Sequence, residues 1–265
     1  MRSYCNIIEN KDYLLGIKHI NSESIDIIIT DPPYGIKYQN NYTLCKHKKI
    51  VGDEGIDYKK FSDECYRVLK NNSHAYFFTR FDVYPYHYQS LVEAGFLVKN
   101  VLIIEKGHIG GCGDLKGSYA NNCEWIIFCQ KGRKVFNNTK LMKNNKPVGK
   151  TCARNGNPIQ EYKTRFNCCW FGDKYPKSTY NSSWQKKNGI FHPTIKNVDC
   201  LKWLLQISSN ENDIVLDPFM GSGSTAIACL ETNRNYIGYE IDEEYYNVCK
   251  NRINTYLKEK DEKIS

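Results

Sequence analysis

The sequence predicts an α/β protein with a doubly wound, mostly parallel sheet and one inserted segment. Three observations carry this. Short β-branched apolar runs alternate with helix-like amphipathic stretches, a glycine-rich turn joins one such run to a helix, and one basic stretch shows neither pattern. A length of 265 residues suits one α/β domain with a sizeable insertion.

Taken in order, Ile25 to Thr30 is a short apolar run, as expected of a strand buried on both faces. Tyr58 to Leu69 sets Phe61, Cys65, Val68 and Leu69 on one helical face, and His74 to Thr79 returns as a strand. Tyr84 to Ala94 reads as a helix stopped by Gly95, followed by strands over Phe96 to Ile104 and Glu124 to Cys129. After the basic stretch come a helix (Asn197 to Ile207), a strand (Ile214 to Asp217), a helix (Ser224 to Glu231), a strand (Tyr236 to Glu240) and an amphipathic helix (Glu243 to Lys258). The charged residues after Tyr256 are expected to fray.

The formal net charge of +8 is unevenly spread. Residues 131–190 hold 14 Lys and Arg against only Glu161 and Asp173, a net +12, so the rest of the chain carries −4. Aromatics including Phe136, Tyr162, Phe166, Trp170 and Trp184 are interleaved with these bases. That mixture fits a surface that follows a phosphate backbone and contacts bases. No run approaches the roughly 20 apolar residues needed to cross a bilayer, and the first residues lack a signal peptide's pattern, so a cytoplasmic protein is expected. Twelve scattered cysteines with no C-x-x-C spacing read as reduced thiols, with no metal site expected.

Two motifs carry chemistry. Asp31-Pro32-Pro33-Tyr34 directly follows the first predicted strand, at the strand end where open α/β sheets bind ligands. Two prolines stiffen the loop and present its carbonyls outward. A carboxylate, a free carbonyl and an aromatic ring held together suit a planar heterocycle with an exocyclic amine: Asp31 and a proline carbonyl accept its N–H groups while Tyr34 stacks on the ring. Asp217-Pro218-Phe219-Met220-Gly221-Ser222-Gly223-Ser224 follows a strand and opens a helix, where unpaired N–H groups meet a ligand. It lacks both the third glycine of a dinucleotide fingerprint and the lysine of a P-loop, which argues against NAD and ATP. Glu240 ends the next predicted strand, where an acid accepts hydrogen bonds from ribose hydroxyls. Together these describe a nucleoside-cofactor site without a pyrophosphate.

These residues resemble the S-adenosylmethionine-dependent DNA amino-methyltransferases of the N6-adenine/N4-cytosine family, over nearly the whole chain. The motif order, with the Asp31 loop before the glycine loop, is similar to the circularly permuted β group, and Gly113 to Gly117 with Glu124 to Phe128 looks like its phage and prophage members. The resemblance implies a Rossmann-like methyltransferase sheet. Residues 1–130 would form its catalytic part, 131–190 the target-recognition insertion and 191–265 the cofactor-binding part. It implies catalytic roles for Asp31, Pro32, Pro33 and Tyr34. It implies cofactor contacts from Asp12, Asp31, His192, Thr194, Lys196, Asp217, Phe219, Gly221, Ser222, Gly223, Ser224 and Glu240. His192-Pro193-Thr194-Ile195-Lys196 is similar to the family's motif beside the methionine end of the cofactor, with Asn197 where a proline is common.

Family members with Asp in the first position of the catalytic motif mostly methylate adenine, which Asp31 therefore favours. N4-cytosine, an RNA substrate or a catalytically inactive DNA-binding relative are the alternatives. No Pro-Cys dipeptide is present, which removes the cysteine nucleophile of cytosine C5 chemistry. Double-stranded DNA is the expected partner, contacted by Lys37, Arg154, Arg165, Lys174, Lys186 and Lys187, with a homodimer and a companion restriction endonuclease further expectations. The loop from Gly35 to Gly55 is expected to close over the flipped base.

Overall fold

The computed structural model describes residues 5–34, 56–105, 117, 119, 123–137, 168–170 and 195–262. They form an eight-stranded sheet in the order β1-β8-β7-β2-β3-β5-β4-β6. The strands are β1 (Ile7–Asn10), β2 (Ile25–Thr30), β3 (Leu69–Thr79), β4 (Leu97–Glu105), β5 (Cys123–Lys131), β6 (Cys169–Trp170), β7 (Ile214–Asp217) and β8 (Asn235–Glu240). Helices α1 (Tyr13–Ile17), α2 (Tyr58–Val68), α3 (Tyr84–Glu93), α4 (Val198–Ser208), α5 (Ser224–Glu231) and α6 (Glu243–Glu262) cover its faces.

Strands β1, β8, β7, β2 and β3 are parallel neighbours. β5 runs antiparallel between β3 and β4, so the expected mostly parallel sheet carries one reversed strand. The end of β4 meets the start of β5, Glu105 opposite Cys123, the arrangement that consecutive antiparallel neighbours adopt.

The pleat sorts the core into two layers. Ile27, Ile29, Tyr76, Phe78, Ile126 and Val215 pack under α4, α5 and α6, while Ile25, Ile28, Ala75, Phe77, Ile127 and Leu216 face α1, α2 and α3. A register shift between Ile25 and Ile27 puts Ile25 on the face of Ile28. Helix starts are capped by short polar side chains. Asp57 Oδ1 accepts from Lys60 N at 3.1 Å, and Asn197 Oδ1 accepts from Asp199 N at 2.8 Å and Cys200 N at 3.2 Å.

Four expectations need correction. Leu69 does not continue α2: it caps the helix and begins β3, which runs five residues further upstream than His74 because Leu69 pairs with Ile25. β1 and α1 precede the strand that the sequence reading put first. The two-residue β6 lies inside the basic insertion. The residues after Tyr256 stay helical to Glu262, since leucine, lysine and glutamate are good helix formers. All nine described cysteines are free thiols. Among the described residues no helix is long and apolar enough to cross a membrane.

Candidate active site

Both motifs sit at the carboxyl edge of the sheet. Asp31 follows β2, Asp217 ends β7, and Ile28 pairs with Leu216, so the two loops leave adjacent parallel strands side by side.

The Asp31 loop is not helical, so Asp31 is not a helix cap. Its carboxylate is engaged at both oxygens: the Tyr34 hydroxyl donates to Oδ1 at 2.6 Å, and Lys196 Nζ lies 2.8 Å from Oδ2. Lys196 also reaches Glu124 Oε1 at 3.4 Å and lies 4.6 Å from the centre of the Phe78 ring. Burial alone would push this ammonium down, but the two carboxylates outweigh it and hold its pKa above the ordinary lysine value. Burial, then the Asp31 carboxylate, pushes the Tyr34 phenol well up, so Tyr34 stays a hydrogen donor. Behind Tyr34, with ring centres 6.1 Å apart, stands His87, stacked at 3.8 Å on Tyr58 and bonded through Nδ1 to Thr79 Oγ1 at 2.9 Å. Burial lowers the His87 imidazole to about 4, so this wall is neutral at physiological pH.

The glycine loop is held by carboxylates from its own strands. Asp217 Oδ2 accepts from Thr225 Oγ1 at 2.6 Å and Oδ1 from Phe219 N at 3.1 Å. Glu240 Oε2 accepts from Gly221 N at 2.8 Å and Oε1 from Asp242 N at 2.9 Å. Gly221 and Gly223 have φ of +53° and +82°, the left-handed conformation that glycine adopts without strain. Arg252 of α6 donates to Ser222 O at 3.1 Å and Ser224 Oγ at 3.0 Å. Met220 N donates to Tyr239 O, and Met220 packs over Gly238, where a Cβ would collide with its methyl group. Phe219 packs on Tyr13, with ring centres 4.7 Å apart.

Asp12 caps α1, accepting from Leu14 N at 2.7 Å. Pairing of Asn10 with Glu240, and the bond from Lys11 N to Glu240 O, bring the Asp12 turn to the end of β8 beside the glycine loop. Asp12, Phe219, the glycine loop and Glu240 thus gather on one side of the carboxyl edge, with Asp31, Tyr34 and Lys196 on the other. Pro32 and Pro33 lie between Asp31 and Tyr34, while His192, Thr194, Lys37, Arg154, Arg165, Lys174, Lys186, Lys187 and the loop 35–55 lie outside the described residues.

The sequence reading missed Glu124 as a partner of Lys196, and missed His87 and Arg252. None has a local motif; each is brought in by the fold from 28 or more residues away, except that Thr79 and His87 flank one short turn.

The donor set fits S-adenosylmethionine. Glu240 presents acceptors suited to a ribose diol. The one cation on the glycine loop among the described contacts, Arg252, is committed to Ser222 and Ser224 rather than turned to a phosphate.

The DNA methylase family model matches residues 25–251, which includes both loops. Type II methyltransferase M.HpaI of Haemophilus parainfluenzae is 28% identical over 251 residues, covering 91% of this chain and 71% of its own. DNA adenine methyltransferase YhdJ of Escherichia coli K12 is 30% identical over 250 residues, covering 91% and 80%. The crystal structure of the M1.HpyAVI–SAM complex superposes with a TM-score of 0.59 at 25% identity, over 92% of this chain and 98% of that one. With its sheet order, paired edge loops and this breadth of match, the chain belongs to the DNA methylase family, the S-adenosylmethionine-dependent DNA amino-methyltransferases.

Proposed function

We propose that the protein is a site-specific methyltransferase that methylates the exocyclic N6 of an adenine flipped out of double-stranded DNA. The observation that carries this reading is the Asp31 carboxylate, fixed by Tyr34 and Lys196 at the carboxyl end of β2 beside a carbonyl-bearing Pro-Pro turn. The adenine preference is supported by aspartate, rather than serine, at position 31, and one relative is named an adenine methyltransferase.

The lone pair of an aromatic amine is delocalised into its ring, so the amine is a poor nucleophile. Asp31 and the Pro32 carbonyl each accept one of its N–H bonds and draw the nitrogen toward tetrahedral geometry, and the N–H proton shed when the nitrogen takes the methyl group would leave through the Asp31 carboxylate. Tyr34, backed by the neutral His87 and Tyr58 rings, stacks on the extruded base and sets its plane. Lys196 and the Tyr34 hydroxyl fix the Asp31 oxygens, so the acceptor need not reorient during reaction. S-adenosylmethionine supplies an electrophilic methyl on a sulfonium. Asp12, His192, Thr194, Lys196, Phe219, Ser222, Ser224 and Glu240 are the proposed contacts to it, and Asp217 shapes the glycine loop from beneath. Fixed orientation alone is worth roughly 7–11 kcal/mol of barrier in favourable cases, so no covalent enzyme intermediate is required.

The segment 131–190, with Arg154, Arg165, Lys174, Lys186 and Lys187, is the proposed DNA-reading insertion, and Lys37 the proposed contact from the loop 35–55. Most of its positive charge would neutralise phosphates and make binding strongly salt-dependent; Lys131 is the exception, buried at the end of β5 with Nζ bonded to Tyr66 O and Leu69 O. The family model covers both amine targets, so N4-cytosine is the second reading. Long-read sequencing of DNA from cells expressing the protein tests both. Modified adenine within one short sequence is expected; modified cytosine would replace the first reading with the second. Asp31→Ala should abolish the mark while S-adenosylmethionine still binds, and persistence of the mark in that variant refutes the mechanism.

A further inference from the structure

We propose that Arg252 is a positioning residue for the methyl donor: from α6 it pins the Ser222–Gly223 peptide and so keeps the glycine loop in the one shape that receives S-adenosylmethionine. The inference rests on the reading of the glycine loop as the seat of the cofactor.

The loop has little rigidity of its own. Ser222 stands between Gly221 and Gly223, and glycine on both sides lets the loop peptides rotate at small cost. Two of the three peptides from Met220 to Gly223 are held by contacts. The first donates through Gly221 N to Glu240 Oε2 at 2.8 Å. The last is held at both ends: its N–H, on Gly223, donates to Met220 O at 2.9 Å, and its carbonyl, Ser222 O, accepts from Arg252 Nη1 at 3.1 Å. The same nitrogen donates to Ser224 Oγ at 3.0 Å, so Arg252 ties the residue before Gly223 to the first residue of α5. Three positions earlier on α6, Cys249 packs against Gly223, so this helix meets the loop by packing and by hydrogen bonds on one face.

The middle peptide is different. Ser222 N has no acceptor among the described residues, although Ser222 is only 3% exposed. A backbone donor in that position calls for a partner, and the cofactor is the ligand that meets it. Arg252 fixes the peptide that follows this donor. Without the guanidinium the loop would have to be ordered at each binding event, and that cost would fall on cofactor affinity. S-adenosylmethionine and S-adenosylhomocysteine differ only in the transferred methyl and its charge, so both should lose affinity alike. Once the donor is bound the loop has its shape, and the transfer step itself is spared.

The test is calorimetric titration of the full chain with each of these two compounds, together with steady-state kinetics on DNA. Arg252→Met, which keeps the apolar stem, is expected to weaken both ligands roughly tenfold, the loss of about one charged hydrogen bond. KM for S-adenosylmethionine should rise by the same factor with kcat within twofold, a split that general destabilisation would not produce. Arg252→Lys, whose single nitrogen can serve both acceptors, should recover part of the loss. The proposal is overturned if Arg252→Met binds both ligands within twofold of wild type, if kcat falls while KM holds, or if the lysine variant binds no better than the methionine one. Should Arg252→Met fail to fold, amide exchange in the wild type, followed residue by residue by NMR, decides. Without ligand the Gly221 and Gly223 amides should exchange slowly and that of Ser222 fast, and S-adenosylhomocysteine should slow Ser222. A Gly223 amide that exchanges as fast as that of Ser222 overturns the proposal. If the wild type binds neither compound, the reading of the loop fails; if it binds both and Arg252→Met binds them equally well, only the role of Arg252 fails.

Discussion

Replacing Gly223 by alanine tests whether the glycine loop is held in its shape by packing against α6. Gly223 sits at φ +82°, and a Cβ there would lie 2.5 Å from Cys249 Sγ, a thiol with no exposed surface. Left-handed backbone costs a non-glycine residue roughly 1–2 kcal/mol. Forcing a methyl group into a packed core adds roughly 1–3 kcal/mol, for a total of about 2–5 kcal/mol. At about 2 °C per kcal/mol for a chain of this size, thermal denaturation should show a melting temperature lower by roughly 4–10 °C. The two contributions separate in a double-mutant cycle. In a Cys249→Ala background the collision disappears and only the backbone strain remains, so Gly223→Ala should cost about 1–2 kcal/mol there. Calorimetric titration should show weaker S-adenosylmethionine binding in the single variant and partial recovery in the double. An equal melting loss in both backgrounds would refute the packing argument, and no loss in either would refute the loop geometry.

Two further outcomes follow from the same edge of the sheet. Tyr34→Phe keeps the ring but removes the 2.6 Å bond to Asp31, a charge-assisted contact worth roughly 1.5–3 kcal/mol; steady-state kinetics should show kcat down by about tenfold or more with KM for DNA little changed, and a raised KM with normal kcat would contradict the assigned role. Burial pushes the Asp217 carboxyl up to about 7, although Thr225 and the Phe219 N–H pull it the other way. Because the folded pKa lies above the unfolded one, the folded state holds that proton more tightly. The resulting stability is fully present below about pH 4 and lost as pH rises through about 7. Urea midpoints of Asp217→Asn should therefore fall less than those of wild type between pH 5 and pH 8, and parallel curves would contradict it.

The strands that carry the site were legible because their signals are local. Ile25 to Thr30 and the Asp217 to Ser224 turn announce themselves within ten residues, by apolar runs ending in Pro or Gly punctuation. β1 has no such signal: four residues, Ile-Ile-Glu-Asn, become a strand only because β8 offers them an edge 230 positions away. The boundary at Leu69 failed for the same reason, since helical periodicity and a strand partner at Ile25 compete for one residue and pairing wins. The chemistry shows the same division. Asp31, Tyr34 and Glu240 could be singled out as candidates from their places at or just past strand ends, whereas the Glu124–Lys196 contact joins positions 72 apart and carries no sequence pattern.

The position of β1 at the edge beside β8 also bears on how the protein comes into being on the ribosome. The corner beside the glycine loop is assembled from parts of the chain 230 positions apart, Asn10 to Asp12 and the end of β8 at Glu240. The Asp31 loop is made 186 residues before Asp217, which at typical synthesis rates is about 10–40 s earlier. β1 must wait still longer for the strand it pairs with. A nascent chain thus carries the Asp31 loop well before the glycine loop has its neighbours, so the candidate site is complete only when the last strand of the sheet closes on the first.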